Sequence, residues 1–250
     1  MSAVANSPVG RGETNGLNGK VVLVAGAAGA AGPPTVSALV GRGATVVAID
    51  NVAERLDPVV ERANEAGGPG RATPLVVDLL DEAATRSAIE KVLAEHGHID
   101  GLLHLVGGWR GGKGIVESDL ADWALLHDLL IRTLQHTTRG AHDALIASGG
   151  RFAIVSTTQA QKPTAKNASY AAAKAAAEAW TLAVADSFTD SEAAAVVVQI
   201  KALLTDAMRE ERPDRKFPGY THVDDLAAHL VTLWETPAAD LNGTRQCLTQ

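Results

Sequence analysis

A single cysteine, Cys247, occurs in 250 residues, which excludes an internal disulfide framework and points to a reducing compartment. No apolar run reaches the roughly 20 residues needed to span a bilayer. The first 18 residues are rich in Gly, Ser and Asn and lack the apolar centre of a signal peptide. They read as a mobile leader, with residues 19–250 as one cytoplasmic domain. No cluster of Lys and Arg stands out either, and the formal net charge is −7, which argues against nucleic acid or an anionic membrane as partner. Metal ligands do not gather: His96-Gly97-His98 falls where a helix should turn into a strand, with no cysteine or carboxylate cluster beside it, and reads as a solvated loop, so no metal is expected. What remains is 46% hydrophobic and 20% charged, enough at this length for one large core.

Lys20-Val21-Val22-Leu23-Val24-Ala25 reads as a short buried strand that runs directly into Gly26-Ala27-Ala28-Gly29-Ala30-Ala31-Gly32. A helix then starts at Pro33-Pro34, tolerated in a first turn where amide hydrogens have no intrahelical partner. Strand, glycine turn and helix are the parts of a dinucleotide site. The glycines let the backbone approach a pyrophosphate, and the amides and positive end of the helix attract its charge. The next strand, 45–49, ends in Asp50. A carboxylate there can accept from both hydroxyls of an adenosine ribose and repels a 2′-phosphate, and Asn51 follows where an arginine would favour the phosphate. NAD is the expected cofactor.

Strands and helices alternate along the rest of the chain: a helix at 57–66 opened by Asp57-Pro58, a strand at 75–77 closing on Asp78, a helix at 82–95, and a strand at 99–106 that opens into Gly107-Gly108-Trp109. A long helix from 119, a strand at 152–155, an alanine-rich helix, a strand at 196–198, a helix at 223–234 and a short strand at 244–248 follow. This pattern predicts an α/β fold, a single doubly wound Rossmann domain with a parallel sheet of about seven strands and helices on both faces. Ligands then lie at the carboxyl ends of the strands.

The alanine-rich helix carries Tyr170-Ala171-Ala172-Ala173-Lys174. Four-residue spacing puts a phenol and an ammonium on one face, one turn apart. A lysine held beside a tyrosine favours the phenolate and lowers a pKa that is ordinarily ~10, which makes the hydroxyl usable for proton transfer near neutral pH.

With the glycine turn at Gly26, Gly29, Ala31 and Gly32, the acidic strand end at Asp50, Asp78-Leu79 and the Tyr170/Lys174 pair, the chain from 20 to 249 resembles the short-chain dehydrogenase/reductase family. The resemblance implies hydride transfer between a nicotinamide and a small-molecule carbonyl or alcohol. Tyr170 would be the general acid or base, and Lys174 would hold the nicotinamide ribose and lower the Tyr170 pKa. A hydroxyl 13 residues before the tyrosine, Thr157, would hold the substrate oxygen, with Ser156 as the alternative. Asn51, Asp78, Leu79, Val106, Gly107 and Thr205 would complete the cofactor site, Thr205 at the carboxamide. A homodimer or homotetramer is the expected assembly.

Departures from the family pattern are equally plain. His104-Leu105-Val106-Gly107 stands where the family has Asn-Asn-Ala-Gly, Leu130 occupies the place of the long helix's asparagine, and Ile200-Lys201 replaces a Pro-Gly. The Val106–Gly112 run, the missing asparagine, Asp50 and the Thr205-Asp206-Ala207-Met208-Arg209 stretch followed by Pro213 and Phe217 are similar to quinonoid dihydropteridine reductase, which makes a quinonoid substrate an alternative to a ketone or alcohol. On that likeness Trp109, Gln159 and Tyr220 would form the substrate pocket, with Trp109 either stacking on a planar ring or capping the core. The competing class is a non-catalytic NAD-binding regulator, which would need Lys174 but neither Tyr170 nor Thr157.

Overall fold

The computed structural model describes residues 16–248. β1 (Val21–Ala25) leads through the glycine turn into α1 (Gly32–Gly41), β2 (Thr45–Asp50) into α2 (Ala53–Glu65), and β3 (Arg71–Val76) into α3 (Glu82–His96) and β4 (Gly101–His104). α4 (Leu120–His127), a π turn at Asp128–Arg132 and α5 (Thr133–Ser148) then form one helical stretch before β5 (Arg151–Thr157). α6 (Ala168–Ser187), β6 (Ala194–Ile200), β7 (Leu203–Leu204), α7 (Asp206–Glu211), β8 (Thr221–His222), α8 (Val223–Thr232), α9 (Ala238–Leu241) and β9 (Arg245–Cys247) complete the chain.

Seven of these strands form one parallel sheet in the order β3-β2-β1-β4-β5-β6-β9, while β7 and β8 pair separately. The expected single doubly wound α/β domain is therefore what forms. Alternation along β1 shows how both faces are covered. Val22 and Val24 join a core with Val36 and Leu39 of α1 and Leu226 and Leu230 of α8, whereas Val21 and Leu23 join one with Ile89 of α3, Leu134 of α5 and Ala173 and Ala177 of α6. The strand order reverses between β1 and β4, so a crevice opens at their carboxyl ends, the usual ligand position in such sheets.

Several boundaries differ from the sequence reading. Of the proposed leader, residues 1–15 lie outside the described residues, and Leu17 is 2% exposed and belongs to the core, so the packed body starts before residue 19. α2 begins at Ala53 rather than at Asp57-Pro58, leaving Pro58 inside the helix. Val52 already accepts from the amides of Arg55 and Leu56, and the proline costs only one bond just beyond the first turn. β3 runs from Arg71 through Pro74, which is acceptable because β3 is an edge strand. Asn64 pins its start with a pair of hydrogen bonds to the backbone of Ala72, at 2.8 and 3.0 Å. The long helix is not regular: its π turn contains Leu130, the residue in place of the family's asparagine.

Candidate active site

The crevice is a cleft of about 980 Å³, large for a small-molecule site. Gly26, Gly29, Ala30, Ala31, Asp50 and Asn51 line one end, and Thr157, Gln159, Tyr170, Lys174 and Tyr220 the other, with Val106, Gly107 and Trp109 between the two groups in sequence. One cavity thus gathers most of the residues singled out from the sequence.

The glycine turn is shaped for close approach. Gly26 has φ +79°, and a Cβ there would stand 2.7 Å from the Val106 amide nitrogen, so a side chain would push the β1 and β4 loops apart. At Gly32 a Cβ would fall 2.0 Å from the Ala27 carbonyl oxygen. Gly32 is buried and serves packing within the turn; it does not line the cleft. The amides of Gly26 and Ala27 donate to Ile49 O, that of Ala28 to Asp50 Oδ2, and that of Gly29 to Gly26 O. Ala30 and Ala31, whose amides enter none of these bonds, line the cleft at the start of α1, where the helix end favours an anion. The residues present fit a nucleotide diphosphate: a glycine-formed cradle under a helix N-terminus, with a fixed carboxylate at its rim.

Asp50 is fixed by its neighbours, accepting from the Ala28 amide at 3.0 Å through one oxygen and from the Asn51 amide at 3.0 Å through the other. Arg55 lines the same end, its guanidinium donating to Ala28 O at 2.9 Å. Arg42 pairs with Glu235. Three further residues expected at the cofactor do not line the cleft. Asp78 accepts from the Leu80 amide; Leu79 is buried in the core, its carbonyl bonded to His136 Nδ1; and Thr205 caps α7 by accepting from the Met208 amide.

At the other end, α6 lays a polar stripe against β5 and β6. Tyr170, Lys174 and Glu178 follow at one-turn intervals, and the small side chains of Ala171, Ala173 and Ala177 are buried beside them. Lys174 is 8% exposed, and its ammonium donates to Val155 O at 2.7 Å. It lies 5.9 Å from the Tyr170 ring centroid. Burial lowers the Lys174 pKa to about 8, with the Glu178 carboxylate acting in the opposite sense. Burial raises the Tyr170 phenol to about 12. The phenol is thus shifted upward, contrary to the expectation that Lys174 would bring its pKa down, because desolvation dominates and the ammonium is directed to a backbone carbonyl.

The two candidate hydroxyls are held differently. Ser156 Oγ donates to Glu178 Oε1 at 2.6 Å, in a buried network where that carboxylate also takes Gln199 Nε2 at 2.9 Å and, through its second oxygen, Arg245 Nε at 2.8 Å. Thr157 Oγ1 makes only long contacts, to Lys201 O at 3.4 Å and from the Gln159 amide at 3.3 Å. Gln159 accepts from Asn167 Nδ2. Trp109 is 55% exposed and lines the cleft, so it does not cap the core. His104 is 4% exposed and outside the lining. Its nitrogens meet Thr133 Oγ1 at 3.2 Å and Thr137 Oγ1 at 3.0 Å, and burial, with Lys174 as a lesser cause, lowers its pKa to about 3.

Reasoning from sequence also missed Leu129, Met208, Arg212 and Arg215 in the lining. Among the described residues no group of three or more His, Cys, Asp and Glu could hold a metal, and no helix is long and apolar enough to cross a membrane.

The family model for short chain dehydrogenases matches residues 20–216. The chain belongs to the short-chain dehydrogenase/reductase family. Among members, a short chain dehydrogenase of Pseudocercospora fijiensis is 31% identical over 162 residues, covering 64% of this chain and 52% of that protein. The 3-oxoacyl-acyl-carrier-protein reductase of Thermotoga maritima is 32% identical over 123 residues, 49% of each chain. The chain therefore aligns with about half the length of these two relatives. The crystal structure of a short chain dehydrogenase from Burkholderia cenocepacia in complex with NADP is 26% identical, with a TM-score of 0.78 over 94% of this chain and 98% of that one.

Proposed function

We propose that this short-chain dehydrogenase/reductase is an NAD(H)-dependent oxidoreductase acting on a small carbonyl, alcohol or quinonoid compound. The observation that carries the reading is the shared cleft: the glycine turn and Asp50 at one end, Tyr170, Lys174 and Thr157 at the other. A bound nicotinamide would supply or accept the hydride. The protein's part is to orient, polarise and move a proton. Burial keeps the Tyr170 phenol protonated at neutral pH, so in the reducing direction Tyr170 can act as the acid that protonates a developing alkoxide. Thr157 positions the substrate oxygen, a role favoured over Ser156 because Ser156 Oγ is already committed to Glu178. Lys174 presents a cation at the ribose side of Tyr170. Leu130 offers no side-chain relay, so proton supply falls to Tyr170 itself.

NAD is proposed over NADP because Asp50 holds a carboxylate at the rim where a 2′-phosphate would sit. Arg55 on the same rim is the specific observation for the second reading, NADP. A non-catalytic NAD-binding role is disfavoured by Tyr170 and Thr157 lining the cleft together, since a binder needs neither.

A panel of quinonoid dihydropterins, simple quinones and ketones, followed by NADH absorbance, tests the function. Tyr170→Phe should lower turnover by roughly 10² or more, the size expected for a lost general acid, with NADH affinity within a few-fold. Unchanged turnover in that variant would overturn the assignment.

A further inference from the structure

We propose that the substrate of this cleft is an anion, a small molecule whose carboxylate or phosphate is received by Lys201, Arg212 and Arg215; this rests on the oxidoreductase reading above. The whole chain carries a formal charge of −7, yet the cleft lining has the opposite sign. It contains Arg55, Lys174, Lys201, Arg212 and Arg215 against one carboxylate, Asp50.

Two of those cations have positions that a cofactor accounts for: Arg55 at the glycine turn and Lys174 beside Tyr170. The other three lie on the segment after β6, on the side of Thr157. Thr157 Oγ1 donates to the Lys201 carbonyl. The Lys201 ammonium donates to Pro218 O at 2.7 Å and sits 5.9 Å from the Tyr220 ring centroid. Tyr220 meets Phe217 at 5.4 Å, and the Arg215 guanidinium lies 5.3 Å from the Phe217 ring centroid. Arg212 O accepts from the Arg215 amide at 3.0 Å. A run of contacts thus leads from the candidate substrate hydroxyl to the two arginines.

The acids of this segment, Asp206, Glu210, Glu211 and Asp214, do not line the cleft. Asp206 is turned to His222 Nε2 at 3.3 Å, and Glu211 comes no closer to Arg212 Nε than 3.7 Å. Arg209 and Lys216 of the same segment also lie outside the lining, so this segment contributes three bases and no acid to the cavity, which favours a negatively charged ligand. Arginine forks suit carboxylate and phosphate oxygens in particular.

The test uses two matched pairs of probes: cyclohexanone with 4-oxocyclohexanecarboxylate, and dihydroxyacetone with its phosphate. Each is titrated by tryptophan fluorescence against the full-length protein, with and without NADH, in wild type and in Arg212→Glu, Arg215→Glu and the corresponding Arg→Lys variants. The expected result is at least tenfold tighter binding of one charged partner over its neutral analogue. That ratio should collapse in the Glu variants, survive in the Lys variants, and fall with added salt. Which pair shows the preference separates a carboxylate from a phosphate ester.

Equal affinity within both pairs, or a ratio indifferent to the Glu substitutions, would overturn the proposal. So would a tenfold loss of NADH affinity in the Glu variants with no change in the ratio, since the arginines would then serve the cofactor. Tight anion binding without any NADH oxidation would leave the anion site at Lys201, Arg212 and Arg215 standing and count against the oxidoreductase reading, on which the ligand's role as substrate rests.

Discussion

The Lys174 ammonium donates to the Val155 carbonyl at 2.7 Å, tying α6 to the end of β5 beneath Tyr170. A cation in so dry a place is costly. Relative to an ordinary lysine at 10.5, the shift to about 8 corresponds to about 3 kcal/mol against folding at neutral pH. The cost is full below pH 8 and is relieved as pH rises from 8 towards 10.5, where the folded protein sheds the proton first.

Lys174→Met should therefore leave stability nearly unchanged. It removes the desolvation penalty but strands the Val155 carbonyl, a loss of about 1–3 kcal/mol. NADH affinity should fall at least tenfold. Thermal midpoints and NADH titrations of the two proteins check this; a large fall in the midpoint with unaltered NADH affinity would make Lys174 a structural residue.

His104 gives an acid limb to the stability curve. Its folded pKa of about 3 lies below the ordinary 6.5, so its contribution is complete above pH 6.5 and declines as pH falls towards 3, by about 1.4 kcal/mol per unit at most. A neutral imidazole carries one N–H, so one ring nitrogen donates to a threonine hydroxyl and the other accepts from one. His104→Asn removes the titrating group while keeping a polar partner for Thr133 and Thr137. Between pH 6.5 and 4.5, urea denaturation should show wild type losing about 2–3 kcal/mol more than the variant. Parallel losses would contradict the linkage.

Much of this was legible in the sequence, because the strands of a parallel sheet are apolar runs and the motifs lie at their ends. Asp50, Tyr170 and Lys174 could be placed by strand register and helical spacing alone. What was not legible depended on tertiary partners. Thr205 reads as a carboxamide contact, and residue type does not report that its hydroxyl also caps α7. Ser156 and Thr157 are neighbours whose alternation puts only one beside Glu178, a carboxylate 22 residues away that no local pattern connects to them. The upward shift of Tyr170 follows from burial, which spacing along a helix does not report. Arg212 and Arg215 sit among acids in sequence, and only the fold shows that these two side chains line the cleft while the neighbouring acids do not. The π turn at Leu130 has no signature in residue type.

The cofactor end of the cleft offers the measurement that bears most directly on the central claim, and it needs no knowledge of the substrate. NADH and NADPH are titrated by fluorescence into wild type, Asp50→Ala and Arg55→Ala. The account predicts that wild type binds NADH at least tenfold more tightly than NADPH, a difference of about 1.4 kcal/mol, and that Asp50→Ala loses the preference while Arg55→Ala keeps it. Failure of wild type to bind either nucleotide would contradict the account, and tighter binding of NADPH, abolished in Arg55→Ala, would transfer the role assigned to Asp50 to Arg55.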